Sequence, residues 1–213
     1  MGFAVPRVYP ILDASFVPAA GRAEFLGRLG RSMADAGVRL MEYRNKASSD
    51  SDVLADARVL RQAMPAGQVR LILDDRVDVT MAAGFDGVHV DAGDLPPSTA
   101  RALMGEEAVI GTSASGEAEL LEALGSGADY IAFGPIFPTT TKQTSAAPMG
   151  IDGVRRFREL AGPAPVLVAA AGITLETAPA ILAAGANSVA VASAIFRCDD
   201  PAAEFVRWME FLQ

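Results

Sequence analysis

Eight short apolar runs recur along the chain: VYPIL, LMEY, RLIL, GVHV, VIGT, YIAF, VLVA and SVAV. Between them lie stretches with helical spacing, such as Phe25, Leu29, Met33 and Ala36, or Val154, Phe157 and Leu160, which put apolar side chains on one helix face. Strand and helix therefore alternate. Several of the helical stretches run into a glycine just before the next apolar run, at Gly37, Gly84, Gly127 and Gly185. A glycine there accepts the left-handed conformation that ends a helix.

Near-continuous apolar strands joined by helices are covered on both faces, which implies a parallel sheet. Eight such units in 213 residues favour closure into a single (β/α)8 barrel, an α/β fold of the TIM type. An open doubly wound sheet is the rival, and the turn after VYPILDASF lacks the glycine-rich dinucleotide fingerprint it would carry. No linker, low-complexity tract or charge block divides the chain, so residues 1–213 are expected to form one barrel domain.

Formal net charge is −8, against the general basic balance of a nucleic-acid or membrane-surface binder. An anionic ligand must then be held by a local positive site. The lone Cys198 excludes an internal disulfide and a cysteine-rich zinc site, and no signal peptide is expected at the N-terminus. No apolar run approaches the length of a membrane span. Cytoplasm is the expected location, with no nucleic acid and no membrane among the partners and homo-oligomerisation left open.

In such a barrel the chemistry sits where strands end and the following loops begin. After the first run comes Asp13, as much a cap as a ligand. In the second, alternation puts Glu42, Arg44 and, if the strand extends, Lys46 on one side. Two cations at a barrel mouth suit a diphosphate, Arg as a planar fork and Lys as a mobile charge. The third and fourth runs lead into Asp74, Asp75 and Arg76, and into Asp91 and Asp94. Hard oxygen ligands are what Mg²⁺ takes, and Asp75 and Asp94 are the metal candidates, with helix capping as the competing role. His89, the only histidine, lies inside an apolar strand and reads as a hydrogen-bonded core residue.

The fifth run ends at Ser113. The sixth opens into GPIFPTTTK, where Thr139, Thr140, Thr141 and Lys142 make an anion grip without the Walker pattern of a nucleotide-hydrolysing loop. The seventh and eighth end in small residues around Gly172 and Ser193, where barrels often bind phosphate through backbone N–H groups.

Together these residues resemble the thiamine phosphate synthase family over nearly the whole chain. The resemblance is carried by GPIFPTTTK, Arg44 with Lys46, Asp75-Arg76, Gly87 to His89 with Asp94-Leu95-Pro96, Gly111 with Ser113, and ASAIF at Ala192 to Phe196. It implies that an aminopyrimidinylmethyl diphosphate loses Mg²⁺-bound diphosphate and that a thiazole phosphate nitrogen captures the resulting carbocation. Carried over residue by residue, Arg44, Lys46, Lys142 and Thr139 to Thr141 would hold diphosphate, supported by Ser113; Ser113 and Lys142 would be the catalytic residues, and Glu42 and Asp74 would lie at substrate-binding positions. Asp75 and Asp94 would hold Mg²⁺, and Gly172, Ala192 and Ser193 the thiazole phosphate.

The chain departs from the family's pattern at Glu42, where Gln is usual, at Asp74, where Asn is usual, and at Ala171, where Gly is usual. A carboxylate about 4 Å from a diphosphate oxygen would be repelled by near 4 kcal/mol at an effective dielectric of about 20. Two alternatives stand beside the synthase: a related thiazole tautomerase-like enzyme, which the absence of a histidine soon after Ser113 disfavours, and a non-catalytic paralogue that binds a phosphorylated metabolite, which the changed carboxylates favour. Phe205, Trp208, Phe211 and Leu212 are expected to pack on the barrel.

Overall fold

The computed structural model describes residues 4–139, 141 and 146–213. Its strands are β1 (Val8–Asp13), β2 (Leu40–Arg44), β3 (Arg70–Asp74), β4 (Gly87–Val90), β5 (Val109–Ala114), β6 (Tyr130–Phe133), β7 (Leu167–Ala170) and β8 (Ser188–Val191). They close into a parallel barrel in chain order, β8 pairing with β1 through Val8 and Val189. The fold is a single (β/α)8 TIM barrel, as the alternating pattern predicted. The helices are α1 (Arg22–Asp35), α2 (Asp50–Ala63), α3 (Val77–Ala83), α4 (Pro97–Met104), α5 (Glu117–Leu124), α6 (Gly150–Ala161), α7 (Ala178–Ala183), α8 (Ser193–Phe196) and α9 (Pro201–Phe211). None of them is long and apolar enough to cross a membrane.

The four glycines expected to stop helices all have positive φ: 88° at Gly37, 69° at Gly84, 81° at Gly127 and 117° at Gly185. Successive strand residues then point to opposite faces. Met41, Tyr43, Leu71 and Leu73 pack with the helices in the outer layer. The alternate positions, including Tyr9, Leu40, Ile72, Val109, Tyr130, Val168 and Ala190, form a second cluster drawn from strands alone, the filling of the barrel. Tyr130 fits there because β5 carries Gly111: a Cβ on it would lie 2.2 Å from the tyrosine ring.

At the C-terminus Phe205, Trp208 and Leu212 are buried in the helix–barrel layer, as expected, whereas Phe211 is exposed. A helix buries one stripe, and Phe211 falls outside the one that holds Trp208. Within α9, Trp208 Nε1 donates to Glu204 Oε1 one turn earlier, at 3.0 Å.

Candidate functional site at the barrel mouth

The alternation that fills the barrel with apolar side chains places polar ones above them. Inside β2, Leu40 is followed by Glu42 and Arg44; inside β3, Ile72 is followed by Asp74. The register sets Glu42 beside Ile72 and Asp74 beside His89 of β4. Glu42, Asp74 and His89 are all buried, so charge is gathered over an apolar floor.

Just beyond β3 and β4, one oxygen each of Asp74, Asp75 and Asp91 lies within 4.8 Å of the others. Asp75 reaches this position through a left-handed backbone, φ 68°, which aspartate tolerates better than most residues, and its N–H donates to His89 O at 2.7 Å. Asp94 closes the next turn, its carboxylate accepting from Asp91 N at 2.9 Å. The cations predicted at the mouth sit among these acids. Lys46 Nζ is 2.9 Å from the Asp75 carboxylate and 3.4 Å from those of Asp74 and Asp91. Arg44 pairs with Asp13 at 2.5 Å and with Asp74 at 3.3 Å. Asp13 takes the capping role: Oδ1 accepts from Ser15 N and caps a 3₁₀ turn, while Oδ2 accepts from Arg44.

Electrostatically the cluster is overloaded with acid. Among the described residues, Glu42, Asp74, Asp75, Asp91 and Asp94 outnumber Arg44 and Lys46. Burial, then repulsion from Glu42, pushes the Asp74 carboxyl up to about 7. Asp94 is raised too, by desolvation and by Asp75 beside it. Burial works against the charge on Lys46 and on His89, but surrounding carboxylates outweigh it and raise both. Asp74 Oδ2 is buried and accepts no hydrogen bond, although both cations lie within ion-pair range. A buried carboxylate oxygen lacking a hydrogen bond, within an oxygen-only cluster of excess negative charge, fits a hard divalent cation.

The opposite side of the mouth is built differently. A cavity of about 520 Å³ is lined by Ala170 to Thr174 after β7, Ala190 to Ala194 at the end of β8, Thr139, Thr141, Asp13, Arg44 and Arg197. Gly172 and Ala171 both have left-handed backbones, at φ 70° and 74°. A Cβ on Gly172 would lie 2.6 Å from the Phe137 backbone, so only glycine lets this turn pack under the loop after β6. Ala171 adopts a conformation that costs a non-glycine residue roughly 1–2 kcal/mol. Ser193 and Ala194, the first residues of α8, line this cavity.

Arg44 joins the two sides, lining the cavity while pairing with Asp74. Ser113 lines a smaller adjoining hollow of about 100 Å³, which shares Thr139, Ala170 and Ala171 with the larger cavity. Thr141 N donates to Thr139 Oγ1 at 3.2 Å. Thr140 and Lys142 lie outside the described residues. A larger hollow of about 780 Å³, lined by Arg39, Arg70 and Glu107 among others, opens where the strands begin and shares no residue with this mouth.

The predicted positions Glu42, Arg44, Lys46, Asp74 and Asp75 thus gather on the acidic side, and Thr139, Thr141, Gly172, Ala192 and Ser193 on the neutral side. Asp94 is set beside Asp75 and the Asp91 turn, while Asp91, not singled out for the metal by the sequence reading, supplies the third clustered oxygen. His89 is the hydrogen-bonded core residue expected, but its partners tie it to the site: Nε2 is 2.8 Å from Ser113 Oγ and 3.5 Å from Asp91 Oδ1. Its pairing with Asp74 across two strands was the missing signal. Arg197, which directly follows ASAIF after the last strand, also lines the cavity and was not singled out by its sequence position.

Fold and site together define a (β/α)8-barrel enzyme whose functional groups gather at the C-terminal ends of its strands. The family model described as thiamine monophosphate synthase matches residues 8–195. The chain is 40% identical over 190 residues to a thiamine-phosphate synthase of Koribacter versatilis (strain Ellin345), covering 89% of each. It is 39% identical over 194 residues to one of Agrobacterium fabrum (strain C58 / ATCC 33970), covering 90% of this chain and 86% of the relative. Thiamine phosphate pyrophosphorylase from Pyrococcus furiosus superposes with a TM-score of 0.80 at 28% identity, over 97% of this chain and 96% of that one. The chain belongs to the thiamine monophosphate synthase family, a family of transferases.

Proposed function

We propose that this chain couples an aminopyrimidinylmethyl diphosphate to a thiazole phosphate and releases diphosphate. The observation that carries the reading is the position of Arg44, which lines the neutral cavity and touches the acid cluster. A leaving group on one side and an acceptor on the other would then be neighbours.

In the reaction the bond from the pyrimidinylmethyl carbon to the diphosphate oxygen breaks, and the oxygen leaves with the electron pair. The thiazole nitrogen supplies its lone pair to the same carbon and becomes the positively charged ring nitrogen of the product. No proton need move. Catalysis of such a dissociative step depends on stabilising the departing charge and on holding the acceptor close. Asp74, Asp75 and Asp91 would hold Mg²⁺, with Asp94 bracing the Asp91 turn, and the ion so bound would supply charge neutralisation for the diphosphate. Lys46 and Arg44, released from part of their carboxylate pairing, would turn their N–H groups to the diphosphate oxygens. Thr139, Thr140, Thr141 and Lys142 would complete that grip from the loop after β6, Thr139 and Thr141 reaching Arg44 from the wall of the cavity they share with Gly172 and Ser193. Gly172, Ala192 and Ser193 would hold the thiazole phosphate through backbone N–H groups and the Ser193 hydroxyl.

The acids that depart from the family's usual residues are compatible with this arrangement. Glu42 is buried against Tyr9, which donates to its Oε2 at 2.7 Å, and it does not line the cavity. Asp74 is ion-paired to both cations. The test is direct: purified protein with both substrates and Mg²⁺ should form thiamine phosphate and diphosphate in equal amounts. Binding of either substrate without product would overturn the synthase reading in favour of a non-catalytic binder.

A further inference from the structure

Beneath Ser113 a chain of buried polar groups crosses the barrel. Tyr9 Oη donates to Glu42 Oε2 at 2.7 Å and lies 2.9 Å from Tyr130 Oη. Tyr130 Oη lies 3.1 Å from His89 Nδ1, and His89 Nε2 lies 2.8 Å from Ser113 Oγ. Both tyrosines are about 1% exposed, so solvent does not supply substitute partners.

The order of these groups dictates the direction of every bond. A phenol has one proton. Tyr9 gives its proton to Glu42, so towards Tyr130 it can only accept. Tyr130 must therefore donate to Tyr9, and its oxygen is left to accept from His89 Nδ1–H. A neutral imidazole with its proton on Nδ1 has a bare Nε2, which accepts from Ser113 Oγ–H. We propose that, whenever the His89 ring is neutral, Glu42, acting through Tyr9 and Tyr130, pins its one proton on Nδ1 and thereby presents the Ser113 oxygen to the barrel mouth as a hydrogen-bond acceptor. Glu42, Tyr9, Tyr130 and His89 are positioning residues in this scheme. Asp91 opposes it, because its carboxylate favours a proton on Nε2, but at 3.5 Å it is farther from that nitrogen than Ser113 is.

An acceptor at Ser113 suits an N–H donor and not a phosphate oxygen, which can only accept. Resting on the proposed function, the matching group is the exocyclic amine of the aminopyrimidine, and the diphosphate is left to the cations and the threonine loop. This reverses the partner that the family resemblance implied for Ser113.

His89 is the only histidine, so its ring nitrogens give unambiguous signals in uniformly ¹⁵N-labelled protein. Two-bond ¹H–¹⁵N correlation, recorded where raising the pH no longer changes those signals, should show Nδ1 protonated and Nε2 bare. A wild-type spectrum with the proton on Nε2 would overturn the proposal, and this arm needs no variant. Tyr9→Phe keeps the ring but removes the acceptor for Tyr130, whose proton can then turn to Nδ1; the His89 proton should move to Nε2. An unchanged tautomer in folded Tyr9→Phe would also overturn it. In turnover, Tyr9→Phe and Ser113→Ala should each raise KM for the pyrimidine diphosphate roughly five- to tenfold, as loss of one hydrogen bond predicts, with a smaller change in kcat. A KM effect of Ser113→Ala confined to the thiazole phosphate would overturn the pyrimidine assignment. If the protein forms no product at all, the synthase reading falls while the tautomer measurement still decides the relay.

Discussion

The two sides of the barrel mouth recruit their ligands by opposite means. Between β2 and β4 the recognising groups are side chains, charged and already paired with one another: Lys46 reaches Asp74, Asp75 and Asp91, and Arg44 reaches Asp13 and Asp74. At the ends of β7 and β8 many of the lining residues are small, Ala170, Ala171, Gly172 and Ala192 among them. The difference teaches where each side is vulnerable. The charged side depends on balance, so removing or adding one charge redistributes the rest. The other side depends on close approach at Gly172, so a single methyl group there disturbs it, although Asp13, Arg44 and Arg197 also line the cavity.

The largest effect should come from the charged side. Asp75→Ala or Asp91→Ala should lower Mg²⁺-dependent turnover at least about 100-fold, in line with lost metal ligation, with little loss of thermal stability. Wild-type kcat and unchanged Mg²⁺ dependence in both variants would dissolve the proposed metal cluster. On the neutral side, Gly172→Ala combines a left-handed backbone with a contact 2.6 Å from Phe137. It should destabilise by about 2 kcal/mol and raise KM for the thiazole phosphate more than for the pyrimidine diphosphate. Equal effects on both substrates would remove the distinction between the sides.

A third test concerns the charge balance through pH. Burial and Glu42 raise the folded Asp74 carboxyl to about 7, far above its value of about 3.9 in an unfolded chain. Between those values the folded state binds more protons, so this group's contribution to stability is complete below about pH 3.9 and is lost as pH rises through 7. Metal-free Asp74→Asn should therefore melt above wild type at pH 8, with the advantage shrinking towards pH 5. Parallel Tm profiles for the two proteins would show that Arg44 and Lys46 already neutralise Asp74. The smallest effect belongs to Ala171→Gly. Relief of the left-handed strain is partly offset by the freer unfolded chain, leaving a gain of about 0.5 kcal/mol in denaturant unfolding. A loss of stability would mean that the alanine methyl is making favourable packing contacts.

Much of this was legible without the fold, for a physical reason. The face on which Glu42 and Arg44 lie follows from the period of a strand, and the helix stops at Gly37, Gly84, Gly127 and Gly185 follow from the one residue that enters the left-handed region freely. Asp75 and Gly172 were legible as strand-end residues. His89 was not legible as a site residue, because an isolated histidine in an apolar strand looks the same whether its neighbours are apolar or are Asp74, Ser113 and Tyr130. Ala171 was visible only as an unusual residue; its φ of 74° explains why glycine suits the position.

By itself, then, the sequence determined the barrel, the end of it that carries chemistry and the residue types available there, since all three rest on local periodicity and backbone preference. The tertiary structure alone decided which of those residues meet. Glu42, Tyr9, Tyr130, His89 and Ser113 become one hydrogen-bonded line only when strands distant in the chain are brought into one closed barrel. The direction of that line depends on how many protons each member carries, which no single position reveals.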